Sequence, residues 1–259
     1  MMTNANLQAQ SPDENYLRLN RSYLKSYFED AGAVAVSPCT WQLDDWSRFG
    51  AVAAATGATI LFDADIHRFF QRHRNESLDK VTQNVIDPMG TFYLAGLLGG
   101  MYLTGLATGN QEIETAALLT SKAALITTGY TVFFKAVFQR ERPDHSDFYD
   151  PGRWGGPFAG FHDNAFPSGH AAIAFSAASV LSAYYHDQLW VGITSYTIAS
   201  LVALSRVYDN KHWASDVIAG SALGYAIGQL IYKRHAEKTI EIVPVQGAAY
   251  KGIRLTYNF

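Results

Sequence analysis

Residues 168–207 read SGHAAIAFSAASVLSAYYHDQLWVGITSYTIASLVALSRV. Around a short polar hinge at His186-Asp187-Gln188, two apolar runs extend over 168–186 and 188–207, each far longer than the roughly 4–8 residues of a buried strand. Near-continuous apolarity blurs the period, so length assigns both runs to helices. The same texture, rich in Ala, Leu and Gly, returns near 89–107, 112–138 and 212–235. Shorter helices are expected over Tyr16 to Phe28 and from Asp44 through the small-residue stretch Gly50 to Phe62. Ser37-Pro38 breaks the pattern, Arg72 to Asp79 is a charged turn, and Asp87-Pro88 stops another short helix. The expected fold is all-α, a bundle of six or more helices.

Two segments depart from helical texture. Pro143 to Pro167 is rich in Gly, Pro, Asp and aromatics, and long loops inside a compact domain are often functional. After Lys238, apolar residues alternate with polar ones (Ile240, Ile242, then Ile253, Leu255, Tyr257), which is strand periodicity. A small C-terminal β-hairpin with its turn in Gln246 to Gly252 is therefore expected. The organisation read from these shifts is an N-terminal extension over 1–40, a helical domain over 41–237 and a hairpin tail over 238–259.

The chain has 259 residues, 48% of them hydrophobic, which is ample for a substantial core. A net charge of -3 points away from nucleic-acid partners. Cys39 is the sole cysteine, so no intrachain disulfide can form. Two charge-free runs, Pro88 to Gln111 and Gln188 to Ser205, approach the roughly 20 residues of a membrane span. The first holds six glycines, and Lys122 and Lys135 interrupt the segment after Glu112. With a mean hydropathy of -0.04, these features favour a soluble helical body with at most peripheral membrane contact, over an integral inner-membrane protein. Residues 1–20 lack the apolar region of an export signal. A periplasmic or outer-membrane-associated location in a Gram-negative cell is expected, with the leader missing from this chain.

Three separated clusters share a chemical theme. In Lys135-Ala-Val-Phe-Gln-Arg-Glu-Arg142-Pro143, residues 135 and 142 lie two helical turns apart, so both cations point one way until Pro143 ends the helix. In Pro167-Ser168-Gly169-His170, Ser168 and Gly169 stand where a helix begins, and helix starts favour anions. In Ser205-Arg206 through His212 to Asp216, the i,i+4 spacing lets a carboxylate orient an imidazole whose other nitrogen is then a nucleophile. Each cluster alone has an ordinary reading: a solvated basic face, an N-cap with a surface histidine, a helical His–Asp pair. His145, His162, Asp144 and Asp147 in the loop do not form a recognisable metal-ligand pattern, and Tyr208 and Trp213 read as packing.

Together the clusters match, in order and spacing, the signature of the type-2 phosphatidic acid phosphatase and vanadium haloperoxidase superfamily: K-x6-R-P, then P-S-G-H, then S-R-x5-H-x3-D. Every specified position is filled, and the chain is also similar to the non-specific acid phosphatases that use this motif set. The resemblance covers about Lys122 to Arg234; residues 1–88 and the tail add nothing to it. It implies a phosphatase in which Lys135, Arg142, Ser168, Gly169 and Arg206 bind phosphate oxygens. His212 attacks phosphorus, Asp216 orients it, and His170 protonates the leaving alcohol. No metal or other cofactor is implied. The expected substrate is a phosphate monoester or a pyrophosphate, either a small soluble ester or a lipid such as a phospholipid or a polyprenyl pyrophosphate. A vanadium-dependent haloperoxidase and a non-catalytic anion-binding or membrane-anchoring module are the alternatives. The sequence carries no signal for oligomeric state.

Overall fold

A computed structural model describes residues 16–144, 150–157, 164–237, 240–247 and 250–257. The order is α1 (Arg21–Val36), α2 (Leu43–Ile60), α3 (Asp63–Arg72), α4 (Glu76–Val81), α5 (Asp87–Met89), α6 (Phe92–Thr108), α7 (Gln111–Phe138), α8 (Gly169–Tyr184), α9 (Leu189–Tyr208) and α10 (Ala214–Glu237). A 3-10 turn, Ser37–Thr40, links α1 to α2, and a π turn, Thr82–Ile86, leads into α5. The molecule is mostly helical, as the run lengths predict. The first expected helix lies later than its amphipathic pattern suggested, at Arg21–Val36 instead of Tyr16 to Phe28, because Asn20 caps it by accepting from the Tyr23 N–H.

The core forms around α8. One side unites Leu119, Ala123 and Ile126 of α7 with Val180 of α8 and Ile227 and Ile231 of α10. The other packs Ala174 and Ala178 of α8 on Ala199 and Val202 of α9. Helices α8 and α10 approach backbone to backbone along Gly220, Gly224 and Gly228, four residues apart and so on one face. A Cβ on Gly224 would lie 1.9 Å from the Ala172 carbonyl oxygen, and one on Gly220 would lie 2.4 Å from that of Ser168. Nothing larger than glycine fits there without separating the helices. This closeness brings the start of α8 against the start of α10, where the Ser168 N–H donates to the Asp216 carbonyl at 3.0 Å.

The structure favours the membrane alternative over the soluble reading. The charges that seemed to interrupt the segment after Glu112 point inward, so α7 is one helix of 28 residues, about 42 Å long. Lys122 is buried and donates to Asp30 Oδ2 at 2.8 Å and Ser26 Oγ at 2.9 Å, while Arg234 holds the other Asp30 oxygen at 2.9 Å. The outward faces are apolar: Phe92, Leu97 and Leu103 on α6, Leu125 and Phe133 on α7, and Leu189, Trp190, Ile193 and Leu204 on α9 are all exposed. An exposed apolar surface of this extent marks a membrane or partner contact. By length and composition α7 and α9 are each able to cross a bilayer, and the bent pair α2–α3, kinked by 61°, makes a third candidate; α6 is apolar but shorter. These observations favour an inner-membrane protein over a soluble periplasmic one. Mean hydropathy misleads because the ion-paired interior offsets the apolar exterior in the average. The chain is therefore expected to stay with membranes through a high-pH carbonate wash and to enter solution only with detergent. Release of most of the protein by carbonate alone would return the soluble reading.

Candidate active site

The three motif segments meet at one end of the bundle. Lys135 lies in the last turn of α7, which ends where Gln139 adopts a left-handed conformation (φ 48°) and its N–H closes on the Lys135 carbonyl at 3.0 Å. The chain then turns past Arg142 and Pro143. Gly169 opens α8 beside that cation: a Cβ on it would sit 3.9 Å from Lys135 Cε. His170 occupies the first turn of α8, Arg206 the last turn of α9 and Asp216 the first turn of α10. His212 stands in the short link between α9 and α10, its own N–H tied to the Arg206 carbonyl at 3.1 Å.

Polar atoms here are buried without partners among the described residues. Arg142 Nε, Arg206 Nε, Ser168 Oγ and His212 Nδ1 are all in this state. Ser168 is the N-cap residue of α8, yet its hydroxyl makes no capping bond. Leaving a buried polar group unsatisfied costs about 1–3 kcal/mol, so several in one place call for an explanation. All four belong to residues that the sequence assigned to phosphate binding or catalysis. The Lys135 ammonium meanwhile donates to the Asn164 carbonyl. An anion accepting from the Arg142, Arg206 and Ser168 donors is what the arrangement is built to receive.

The electrostatics follow from burial in a cationic pocket. The His212 pKa is pushed well below its ordinary value, first by burial and then by Lys135, Arg142 and Arg206. The imidazole is accordingly neutral, with a lone pair to offer. For His170, burial and then Arg206 push the pKa down to about 4, with Asp87 opposing. A phosphate bound here would neutralise the cations and so oppose their part of that depression, though not the part due to burial.

Residues 115–240 match the PAP2 superfamily. This stretch is a PAP2 domain. All eight site residues read from the motifs lie inside it. The chain is 43% identical over 70 residues to a lipid A 1-phosphatase of Porphyromonas gingivalis, covering 27% of this chain and 16% of that protein. It is 29% identical over 213 residues to a lipid A 1-phosphatase of Rhizobium johnstonii, covering 74% of this chain and 79% of that protein. The chain spans only 16%, 42% and 49% of the length of three of the curated relatives it matches. In fold it resembles a solved transmembrane PAP2-type phosphatidylglycerolphosphate phosphatase from Bacillus subtilis, with a TM-score of 0.50 at 21% identity, over 84% of this chain and 95% of that one.

Groups that the motifs do not name surround the candidate site, and some come from outside the matched stretch. Arg140 is fully buried and donates to Asp216 Oδ1 at 2.5 Å, Asp63 Oδ2 at 2.8 Å and Ser215 Oγ at 2.7 Å. Its guanidinium is held between the rings of Trp154 and Trp213, 4.8 and 5.6 Å from their centroids. Asp63, at the start of α3, also accepts from the Ser215 N–H at 3.0 Å. Asp216 caps its own helix by accepting from the Trp213 N–H at 2.9 Å. So engaged, it faces His212 Nδ1 at 3.7 Å, beyond hydrogen-bond reach. The i,i+4 spacing thus sets the two groups opposite each other without closing the bond.

The third motif is braced from the N-terminal half as well. His67 on α3 meets the Asn210 side chain at 2.5 Å, Gln71 donates to the Tyr208 carbonyl at 3.2 Å, and Thr82 donates to Asp209 at 2.7 Å. Residues 61–87 therefore belong to the site although they carry no motif. Arg140 had a weak signal, an arginine two places before Arg142; Asp63, His67 and Asp87 had none. Trp213 is buried, as the packing reading holds, and its indole N–H donates to the Glu141 carbonyl at 2.9 Å. Trp154 packs on Phe166 with ring centroids 5.4 Å apart, whereas His145, Asp147 and His162 lie outside the described residues. Among the described residues, no three His, Cys, Asp or Glu side chains gather as a metal ion would need.

Proposed function

We propose that this chain is a metal-independent phosphatase of membrane lipid phosphates, cleaving a monoester or pyrophosphate through a phosphohistidine. The observation that carries the reading is the set of buried, unpartnered donors on Arg142, Ser168 and Arg206 beside a neutral, buried His212. Phosphoryl transfer asks a protein mainly for charge neutralisation and alignment of the attacking group. In the first step the His212 nitrogen that faces away from Asp216 attacks phosphorus. The bond to the leaving oxygen breaks, and that oxygen takes the proton of His170. In the second step water attacks the phosphohistidine, His170 accepts its proton, and phosphate leaves with the His212 lone pair restored. Asp216, held by Arg140, faces the imidazole and offsets the positive charge it gains.

A lipid substrate is supported by the apolar exterior and by relatives named as lipid A phosphatases. A substrate anchored in the bilayer would reach the site without leaving the membrane, and we assign the protein to the inner membrane on that ground. The division into an extension (1–40), a phosphatase domain (41–237) and an appended hairpin (238–259) accompanies this proposal. The test is a panel in detergent micelles with excess EDTA: p-nitrophenyl phosphate, phosphatidic acid, lipid A and undecaprenyl pyrophosphate. Hydrolysis of at least one lipid should persist in EDTA and be blocked by micromolar-range vanadate, which mimics pentavalent phosphorus. Activity that vanishes with chelator and returns with magnesium would refute the proposal.

A further inference from the structure

One charged group at the site has no place in the three motifs or in the mechanism above. Asp87, at the start of α5, directs a single carboxylate oxygen at two partners. Its Oδ1 lies 3.3 Å from His170 Nε2 and accepts from Arg206 Nη1. About a third of the side chain stays accessible, at 35%. The other charged or titratable groups bearing on His170 are Arg206 from α9, Lys135 from α7, Arg142 from the segment after α7 and His212 from the link before α10. Asp209 is near Asp87 and Arg206 but is engaged by Thr82. Asp87 is thus the carboxylate that meets the acid directly. An oxygen shared between the proton donor and a phosphate-binding guanidinium stands where an oxygen of a bound phosphoester would have to sit.

We infer that Asp87 is a positioning residue that competes with phosphate for Arg206 and, once displaced from it, keeps His170 protonated against the leaving oxygen. The inference rests on the phosphatase reading. Two opposed effects follow from one negative charge. In the empty site Asp87 satisfies part of Arg206, so an incoming phosphate must displace it. In the occupied site the cations are neutralised, and the carboxylate next to His170 favours the protonated imidazole. Turnover that needs His170 protonated is lost as pH rises through its pKa in the complex. Removing the Asp87 charge lowers that pKa and brings the loss to lower pH.

The experiment compares the full chain in detergent with Asp87→Asn and Asp87→Glu. Vanadate inhibition is measured, together with the pH dependence of kcat on an alkyl phosphate, whose poor leaving group needs the acid. Asp87→Asn should bind vanadate about five- to tenfold tighter while its alkaline limb moves down by about one pH unit. Asp87→Glu should return the limb toward wild type. A merely structural aspartate would instead weaken vanadate binding and kcat together. If the Asn variant fails to fold, Asp87→Ser removes the charge with a smaller polar side chain and is read by the same two measurements. Weakened or unchanged vanadate binding, or an alkaline limb that does not move, overturns the inference and leaves the phosphatase reading standing. A wild-type chain that neither hydrolyses the ester nor binds vanadate overturns both.

Discussion

His212→Ala is expected to lower turnover by about five orders of magnitude, the scale of losing a nucleophile in enzymes that act through a covalent intermediate. The labelled phosphoenzyme formed on rapid acid quench of the wild type should disappear with it. The loss should be chemical and not structural. His212 is buried in a cationic pocket with an unpartnered Nδ1, so its removal relieves an unsatisfied group at the expense of a small cavity. Vanadate should still bind, because Arg142, Ser168 and Arg206 remain to receive it. The combination of retained vanadate binding with absent phosphoenzyme identifies the nucleophile. Persistent labelling in the variant would assign the covalent step to another residue.

The second large effect is expected on stability. Arg140→Leu leaves Asp63 and Asp216, both fully buried, without the cation that binds each of them. Removing one partner of a buried charge cluster costs about 3–5 kcal/mol, since the remaining charges cannot be rehydrated in place. For a chain of this size that corresponds to a fall of about 10 °C in the midpoint of thermal unfolding. Arg140→Lys keeps a charge but cannot reach Asp63, Asp216 and Ser215 with a planar fork, so it should fall between. Asp63→Asn combined with Arg140→Leu should recover part of the loss, because one stranded charge is then gone. The readout is the midpoint for the three variants in one detergent. A midpoint for Arg140→Leu within 2 °C of wild type, taking about 2–4 °C per kcal/mol as the scale, would mean that the network does not hold the site together.

Local properties of the sequence determined the helices and singled out the candidate site residues. The runs expected near 112–138 and 188–207 are the helices Gln111–Phe138 and Leu189–Tyr208, because a long apolar run bounded by Asn110 or by the polar hinge at 186–188 has few other ways to satisfy its backbone. Lys135, Arg142, Ser168, Gly169, His170, Arg206, His212 and Asp216 were legible as candidates because their spacing is measured along single helices and their ends. Tertiary structure alone decided the rest. Arg140 reaches Asp63 across 77 positions, Arg206 reaches Asp87 across 119, and Lys122 reaches Asp30 across 92. No periodicity encodes a pairing at such separations; it exists only once the helices have packed. The same packing turned Lys122 of α7 inward and Leu125 and Phe133 outward, which favours membrane over water where average hydropathy did not. It also drew Asp216 toward Arg140 and left it 3.7 Å from His212. Sequence spacing sets which groups can meet, but the competing partner that decides which bond forms arrives from another part of the chain.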